Sequence, residues 1–211
     1  MYYIVLLLAT ITGIILYRRL DTALRFIVIL LILTLVSEAA SYILVKSESY
    51  GLRYTVFHVY NILQLLLITQ FFIYAIKPYH YRKLIIAASA LCPLIGILNI
   101  IYLQPIDKLN TNMLMFESFA INSMALYFIY HTIKNTGTRN IFKDIHVRIA
   151  LLLLIMWSST FFFWAFISVL FIGQWQYVNF ASYLFMGVNM IMYAGIGSVF
   201  IQLTKKKIVN G

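Results

Sequence analysis

The stretch IALLLLIMWSSTFFFWAFISVLFI, residues 149–172, contains no charged side chain along its whole length. At a rise of about 1.5 Å per residue, a helix of this length covers the hydrocarbon core of a bilayer, which is about 30 Å thick. Its apolar residues run continuously and do not alternate, and the run is about twice as long as a barrel strand. The stretch therefore predicts a membrane-spanning α-helix.

Six further apolar runs precede and follow this stretch, separated by short polar breaks. They cover residues 2–17, 24–45, 54–76, 84–103, 112–133 and 178–203. The chain is 63% hydrophobic and 10% charged, with a mean hydropathy of +0.92, whereas a soluble domain carries about 25% charged residues. Seven spans leave too few residues for a soluble catalytic or nucleic-acid-binding domain. The predicted fold is all-α, a polytopic membrane protein with a single seven-transmembrane-helix bundle over residues 1–211.

The distribution of Lys and Arg between the runs predicts the orientation of the chain. Twelve of the sixteen cations lie in the first, third and fifth breaks and the C-terminal tail, and Arg25 lies beside the first break at the start of the second run. Only Lys46, Arg53 and Lys108 lie in the other breaks. By the positive-inside rule the N-terminus is outside and the C-terminus is cytoplasmic, in the inner membrane of the cell. The net charge of +10 then indicates basic loops beside membrane lipids, and no nucleic-acid partner.

Strongly polar side chains occur inside the runs almost only in their predicted outer halves. The candidate ligand-binding residues are Glu38, His58, Asn61, Gln64, Glu117, Asn122, Trp164 and Asn189. Counted at about 1.5 Å per residue, they lie between the outer surface and the midplane, whereas the inner halves are mostly Leu, Ile, Phe, Val and Tyr. This one-sided distribution predicts a polar ligand or signal site in the outer half of the bundle.

Glu38 and Glu117 are the most informative of these residues. A carboxylate facing lipid costs about 2.5–3.5 kcal/mol on insertion scales, so both side chains are expected to face the protein interior. There we expect them to be protonated or paired, with His58 as the natural partner of either. Two interpretations stay open for the polar residues as a group, because hydrogen bonds between polar side chains also tie helices together.

Two further patterns predict how the helices pack. One helical face of the second run carries Thr34, Glu38, Ser41 and Tyr42. Small residues permit close helix approach, and they recur at Ala88, Cys92 and Gly96 in the fourth run and at Gly195 and Gly197 in the last. We expect these small residues to be structural.

No sequence motif supports a catalytic residue, a metal site or a cofactor. A retinal Schiff base needs a lysine in the last span, and residues 178–202 contain none. A zinc site needs several ligands at one depth, whereas His80, His131 and His146 belong to the predicted cytoplasmic side, away from His58. The expected protein is not an enzyme. The one enzymatic alternative is an intramembrane hydrolase with Glu38 and Glu117 as an acid–base pair.

Several short motifs follow one another along the chain. They are Ser37-Glu38 with Ser41-Tyr42, Phe57-His58-Val59-Tyr60, Leu109-Asn110, Phe116-Glu117-Ser118 and Asn189. In this order they resemble a group of small seven-helix integral membrane proteins of Bacteroidota, whose function is unassigned. This chain has Gln64-Leu65 where such relatives often carry Glu-Phe. The resemblance spans most of the chain and implies a bacterial multi-pass membrane protein, but no particular activity.

These observations favour a receptor-like or sensory protein that binds an extracytoplasmic ligand. With no output domain of its own, it would act through a cytoplasmic signalling partner, and the longest polar stretch, from Lys134 to Arg148, is the expected contact. A small proton-coupled transporter that uses Glu38, His58 and Glu117 is the alternative. A structural or assembly subunit of a membrane complex is the third possibility.

Overall fold

A computed structural model describes residues 1–76, 82–136, 141–172 and 175–209 of the chain. Of the residues assigned above, His80 lies outside this range, as do the side chains of Ala88 and Cys92. Seven α-helices account for most of the described residues. They are Tyr2–Leu16 (α1), Thr22–Lys46 (α2), Tyr50–Ala75 (α3), Arg82–Leu98 (α4), Thr111–Thr136 (α5), Ile145–Ile172 (α6) and Trp175–Val209 (α7).

All seven helical segments are long and apolar enough to cross a membrane. The prediction of a polytopic all-α membrane protein with seven spans is therefore confirmed at the level of helix number and composition. The fourth segment is completed by a π-helical turn, Asn99–Leu103, which follows α4 directly. No strand occurs in the part of the chain that the structure describes.

Several helices extend beyond the predicted apolar runs. α3 begins at Tyr50 and not at residue 54, and α6 begins at Ile145 and not at residue 149. Hydropathy marks the part of a helix that matches the hydrocarbon, whereas helical hydrogen bonding continues until a cap satisfies the terminal backbone groups. Asp21 is such a cap, because its carboxylate accepts a hydrogen bond of 3.0 Å from the Leu24 N–H at the start of α2.

The turn between α2 and α3 is made by a glutamate in a left-handed conformation. The Ser49 N–H donates to the Leu44 carbonyl at 2.9 Å, and the Glu48 N–H donates to the Val45 carbonyl at 3.1 Å. This pair of bonds is a Schellman motif, in which glycine is usual at the position that Glu48 occupies with a φ of 55°. Gly51, the one glycine between the second and third apolar runs, lies within α3.

The described chain divides into two compact units. Residues 21–117 form one unit, called the central unit here, and residues 1–20 with 118–211 form the other, called the terminal unit. In the central unit α2 packs along α3, with the Thr34 and Tyr60 hydroxyls 2.9 Å apart and the rings of Phe26 and Tyr74 stacked at 5.5 Å. These contacts place the α2–α3 pair at the core of that unit.

In the terminal unit glycines bring α7 close to its neighbours. A Cβ at Gly195 would lie 2.7 Å from a methyl carbon of Leu152 on α6, and a Cβ at Gly197 would lie 3.5 Å from the backbone of Ala9 on α1. The expected close packing of the last span at these two glycines is confirmed. Farther along the same pair of helices, Phe163 of α6 stacks on Phe185 of α7 at 5.0 Å.

We predict that Glu48→Gly raises the free energy of unfolding by about 1 kcal/mol, because glycine adopts the left-handed conformation without the Cβ clash. Thermal unfolding of the purified chain in detergent measures the change. Glu48→Ala is the control, since it removes the charge and keeps the Cβ. An equal gain in Glu48→Ala would show that charge and not backbone strain limits this turn.

A second prediction concerns Gly96, where a Cβ would lie 2.8 Å from Cγ1 of Ile62 on α3. Gly96→Ala is expected to lower the free energy of unfolding by about 1–3 kcal/mol through overpacking. The matched control is Gly187→Ala, because a Cβ there meets nothing within 4 Å. That change is expected to stabilise its helix by about 0.5–1 kcal/mol. Equal effects at the two glycines in a thermal melt would contradict the close α3–α4 contact.

Candidate functional site

Three of the predicted site residues form a row along α3 in the central unit. His58, Asn61 and Gln64 follow one another at intervals of three residues, and all three are buried. Residues three apart are neighbours on a helix surface, so α3 presents a continuous buried polar row.

His58 connects this row to the chain between α4 and α5. Its Nε2–H donates to the backbone carbonyl of Lys108 at 3.0 Å, because a carbonyl can only accept. The ring is fully buried, and Nδ1 has no hydrogen-bond partner among the described residues. In the neutral ring that nitrogen carries a free lone pair. His58 therefore holds the connection with one nitrogen and keeps an unused acceptor at the other.

The connection between α4 and α5 is braced by its own side chains. The amide of Asn99 donates to Oδ1 of Asn110 at 2.9 Å. Gln104 donates to the Thr111 hydroxyl at 2.8 Å and accepts from the Asn112 N–H at 3.0 Å. Oδ1 of Asn99 is buried and has no partner in the described chain. His58 bonds to Lys108 and Asn99 bonds to Asn110, so the two side chains hold the stretch 108–110 in place. We call this stretch and the two side chains the polar layer.

An apolar layer follows one helical turn farther into the central unit. It consists of Ile62, one turn beyond His58 on α3, with Gly96 on α4 and the buried Met113 on α5. The three meet at Gly96, where a Cβ would lie 2.8 Å from Ile62 and 3.5 Å from the terminal methyl of Met113. The absence of a side chain at Gly96 is what allows α3 and α4 to approach this closely.

Glu117 lies one turn beyond the apolar layer, four residues after Met113 on α5. Its side chain is completely buried, and neither carboxyl oxygen has a hydrogen-bond partner in the described parts of the chain. Along α5 it lies about 10 Å from Asn110 at the polar layer, at about 1.5 Å per residue. The expected pairing of His58 with Glu117 is wrong, because neither Glu117 oxygen has a partner in the described chain and the His58 ring bonds to the Lys108 carbonyl.

Glu38 occupies a different setting on α2, where it is half-buried. His58 does not bond to it, since the only hydrogen bond of that ring in the described chain goes to Lys108. The neighbouring Ser41 is buried and accepts a hydrogen bond of 2.9 Å from Nε of Arg53. Tyr42, which the sequence groups with Glu38 and Ser41 on one helical face, is 54% exposed, and the buried side of α2 includes Ser37 and Ser41.

The other three predicted site residues belong to the terminal unit. Asn189 is buried on α7, and its amide donates to the Phe185 carbonyl of its own helix at 3.0 Å. Asn122 on α5 is half-buried, and its Oδ1 has no partner among the described residues. Trp164 on α6 is half-buried and packs edge-to-face on Phe163 at 5.2 Å. The eight predicted residues are therefore divided between the two units, five in the central unit and three in this one.

Sequence analysis missed two residues with unusual surroundings. Trp157 on α6 is 1% exposed, and its indole Nε1–H has no hydrogen-bond partner in the described chain. Ser37 on α2 is also buried, with an unpartnered hydroxyl oxygen. Neither stands out in the sequence, because tryptophan and serine are ordinary in membrane helices and their surroundings depend on packing.

The predicted partner-binding stretch from Lys134 to Arg148 is largely structured where it is described. A 3₁₀ turn, Ile141–Lys143, leads into α6, and the guanidinium of Arg148 donates to the Phe142 carbonyl and to the Gln202 side chain of α7. Asp144 accepts hydrogen bonds from both the side chain and the backbone of His146 at 3.2 and 2.8 Å. The side-chain bond lowers the pKa of the Asp144 carboxyl. This segment is therefore fastened to α7.

Comparison of the chain with protein-family models, curated proteins and solved structures finds no match. Within the described residues, no three His, Cys, Asp or Glu side chains come close enough together to hold a metal ion. The description of the site therefore depends on the geometry of the residues themselves.

Substitutions at Glu117 and at Asn99 are expected to change the free energy of unfolding in opposite directions. Glu117→Met replaces an unpartnered buried carboxyl with an apolar group of similar length, so we expect the free energy of unfolding to rise by about 1–3 kcal/mol. Asn99→Ala removes the bond to Asn110 and is expected to lower it by about 1 kcal/mol. Both changes are measured by thermal or denaturant unfolding in the same detergent. Destabilisation by Glu117→Met would mean that the carboxyl ties helices together.

Proposed function

We propose that the protein is a receptor-like or sensory seven-helix membrane protein whose ligand site centres on Glu117 in the outer half of the central unit. In this proposal the N-terminus is outside, the C-terminus is cytoplasmic and the membrane is the inner membrane of a bacterium. The observation that carries it is the completely buried Glu117 carboxyl, with neither oxygen partnered in the described chain.

The alternative explanation, that Glu117 ties helices together, requires a hydrogen-bond partner. Such ties are complete elsewhere in the central unit, between Thr34 and Tyr60 and between Arg53 and Ser41. A buried polar group without a partner costs about 1–3 kcal/mol, and a charged one costs more. A ligand that supplies the missing partner gives a reason for a fold to retain this cost, and a tie without a partner gives none.

The geometry favours a receptor over the proton-coupled transporter. A proton path through Glu38, His58 and Glu117 needs groups that can exchange protons with one another. In the described chain His58 bonds to neither carboxylate, since its hydrogen bond goes to the Lys108 carbonyl and neither oxygen of Glu117 has a partner. Toward the predicted cytoplasmic end of α3, the buried Thr69 hydroxyl donates to the Leu65 carbonyl of its own helix and is already satisfied.

A separate cytoplasmic partner supplies the output in this proposal. The segment 141–148 offers a surface for it, because the bonds of Arg148 to Phe142 and Gln202 fix this segment on α7. A fixed surface loses little conformational freedom on binding, which favours recognition by a partner. A movement of α7 would also displace this segment, because Arg148 bonds to Gln202 of α7.

The proposal is tested by thermal-shift measurements on the purified full chain in lipid nanodiscs, with amines, carboxylates and neutral amides as three sets of small probes. We expect at least one set to raise the unfolding temperature in a saturable way, because a ligand that binds only the folded state stabilises it. Glu117→Gln is expected to abolish the shift.

The matched control is Glu48→Gln, which makes the same chemical change at the exposed α2–α3 turn. It is expected to respond to the probes as the unmodified chain does. If Glu117→Gln responds to every set of probes as the unmodified chain does, the proposed site is wrong.

A further inference from the structure

We infer that the ligand of the Glu117 site is a small cation with N–H donors, a primary ammonium group. The inference depends on the proposed function, because it specifies the chemistry of the same site. It comes from the unpartnered atoms of the central unit and from the positions of the cations around them.

The unpartnered buried side-chain atoms of the central unit all accept hydrogen bonds. In the part of the unit that the structure describes, they are the Ser37 hydroxyl oxygen, His58 Nδ1, Asn99 Oδ1 and both carboxyl oxygens of Glu117. With Glu117 in its carboxylate form, only the Ser37 hydroxyl among these groups is also able to donate. The Nε2–H of His58 and the amide of Asn99 already donate to Lys108 and Asn110. The missing partner is therefore a donor.

The missing partner also carries positive charge. A carboxylate in a low-dielectric interior is stabilised most strongly by a cation in direct contact. At the α2–α3 turn, Arg53 donates to Ser41 and lies over the Phe57 ring, while Lys46 lies over the Tyr42 ring. No described cation of the chain bonds to Glu117. Among the described residues no cation neutralises this carboxylate, and the proposal assigns the charge to a ligand.

The spacing of the acceptors favours a single ammonium group over a diamine. Glu117 and the polar layer are about 10 Å apart along α5, at about 1.5 Å per residue. The apolar layer between them is tightly packed around Gly96, where a Cβ would lie 2.8 Å from Ile62. One ammonium head at Glu117 satisfies both carboxyl oxygens with two of its three N–H donors.

The test measures the unfolding temperature of the full chain in nanodiscs with methylammonium chloride, at constant total chloride. Two other salts replace methylammonium chloride in parallel measurements. Tetramethylammonium chloride supplies a cation without N–H donors, and sodium chloride supplies a small inorganic cation. We expect a saturable increase with methylammonium only. Glu117→Gln is expected to weaken the apparent affinity by about tenfold or more, since a hydrogen bond to a charged group contributes about 1.5–3 kcal/mol.

Glu48→Gln is expected to bind methylammonium as the unmodified chain does. An equal, Glu117-dependent shift with tetramethylammonium or sodium would overturn the requirement for N–H donors. A Glu117-dependent shift with sodium acetate or acetamide but not with methylammonium would overturn the ligand class and leave the proposed site standing. Absence of a Glu117-dependent shift with every probe would overturn both.

Discussion

Seven helices of the chain are long and apolar enough to cross a membrane, and the absence of water from a hydrocarbon core constrains every part of such a chain. Inside a bilayer every polar group has to find its partner within the protein. The backbone does so by forming seven helices, and most buried side chains follow the same rule. Thr10 and Thr160, for example, each donate to a carbonyl of their own helix at 2.7 and 2.9 Å. Because this rule is obeyed so widely, an exception such as Glu117 is informative.

The connection between α4 and α5 shows how the same constraint orders a segment without regular helix. The π-helical turn Asn99–Leu103 ends in a bend, where the Gln104 N–H donates to the Asn99 carbonyl at 2.8 Å. Side chains from both sides then satisfy the backbone and one another, with His58 reaching from α3 to the Lys108 carbonyl. A Cβ at Gly51 would be in ordinary contact with Asp107, 3.9 Å away, so the connection also lies against the start of α3.

Sequence reasoning recovered the number, type and approximate bounds of the helices, because hydropathy reports directly on the match between a segment and the bilayer. It also found most of the buried polar residues, because a polar side chain in a membrane-spanning run avoids lipid by facing the protein interior. It was wrong about partners. His58 bonds to a backbone carbonyl and not to a glutamate, and the left-handed turn falls on Glu48, a residue that nothing in the sequence marks for it. These details depend on how helices lie against one another, which residue type and spacing do not specify.

Buried polar residues of the same type differ in how many hydrogen-bond partners the fold gives them. Asn99 and Asn189 are both buried asparagines on membrane helices, and both donate a hydrogen bond, yet only Asn99 retains a buried oxygen without a partner in the described chain. A sequence presents the two as equivalent. Only the geometry shows that the central unit keeps unused acceptors on α2, α3, α5 and the turn after α4. Acceptors held in this way are preorganised for a donor, because no existing bond has to break when one arrives.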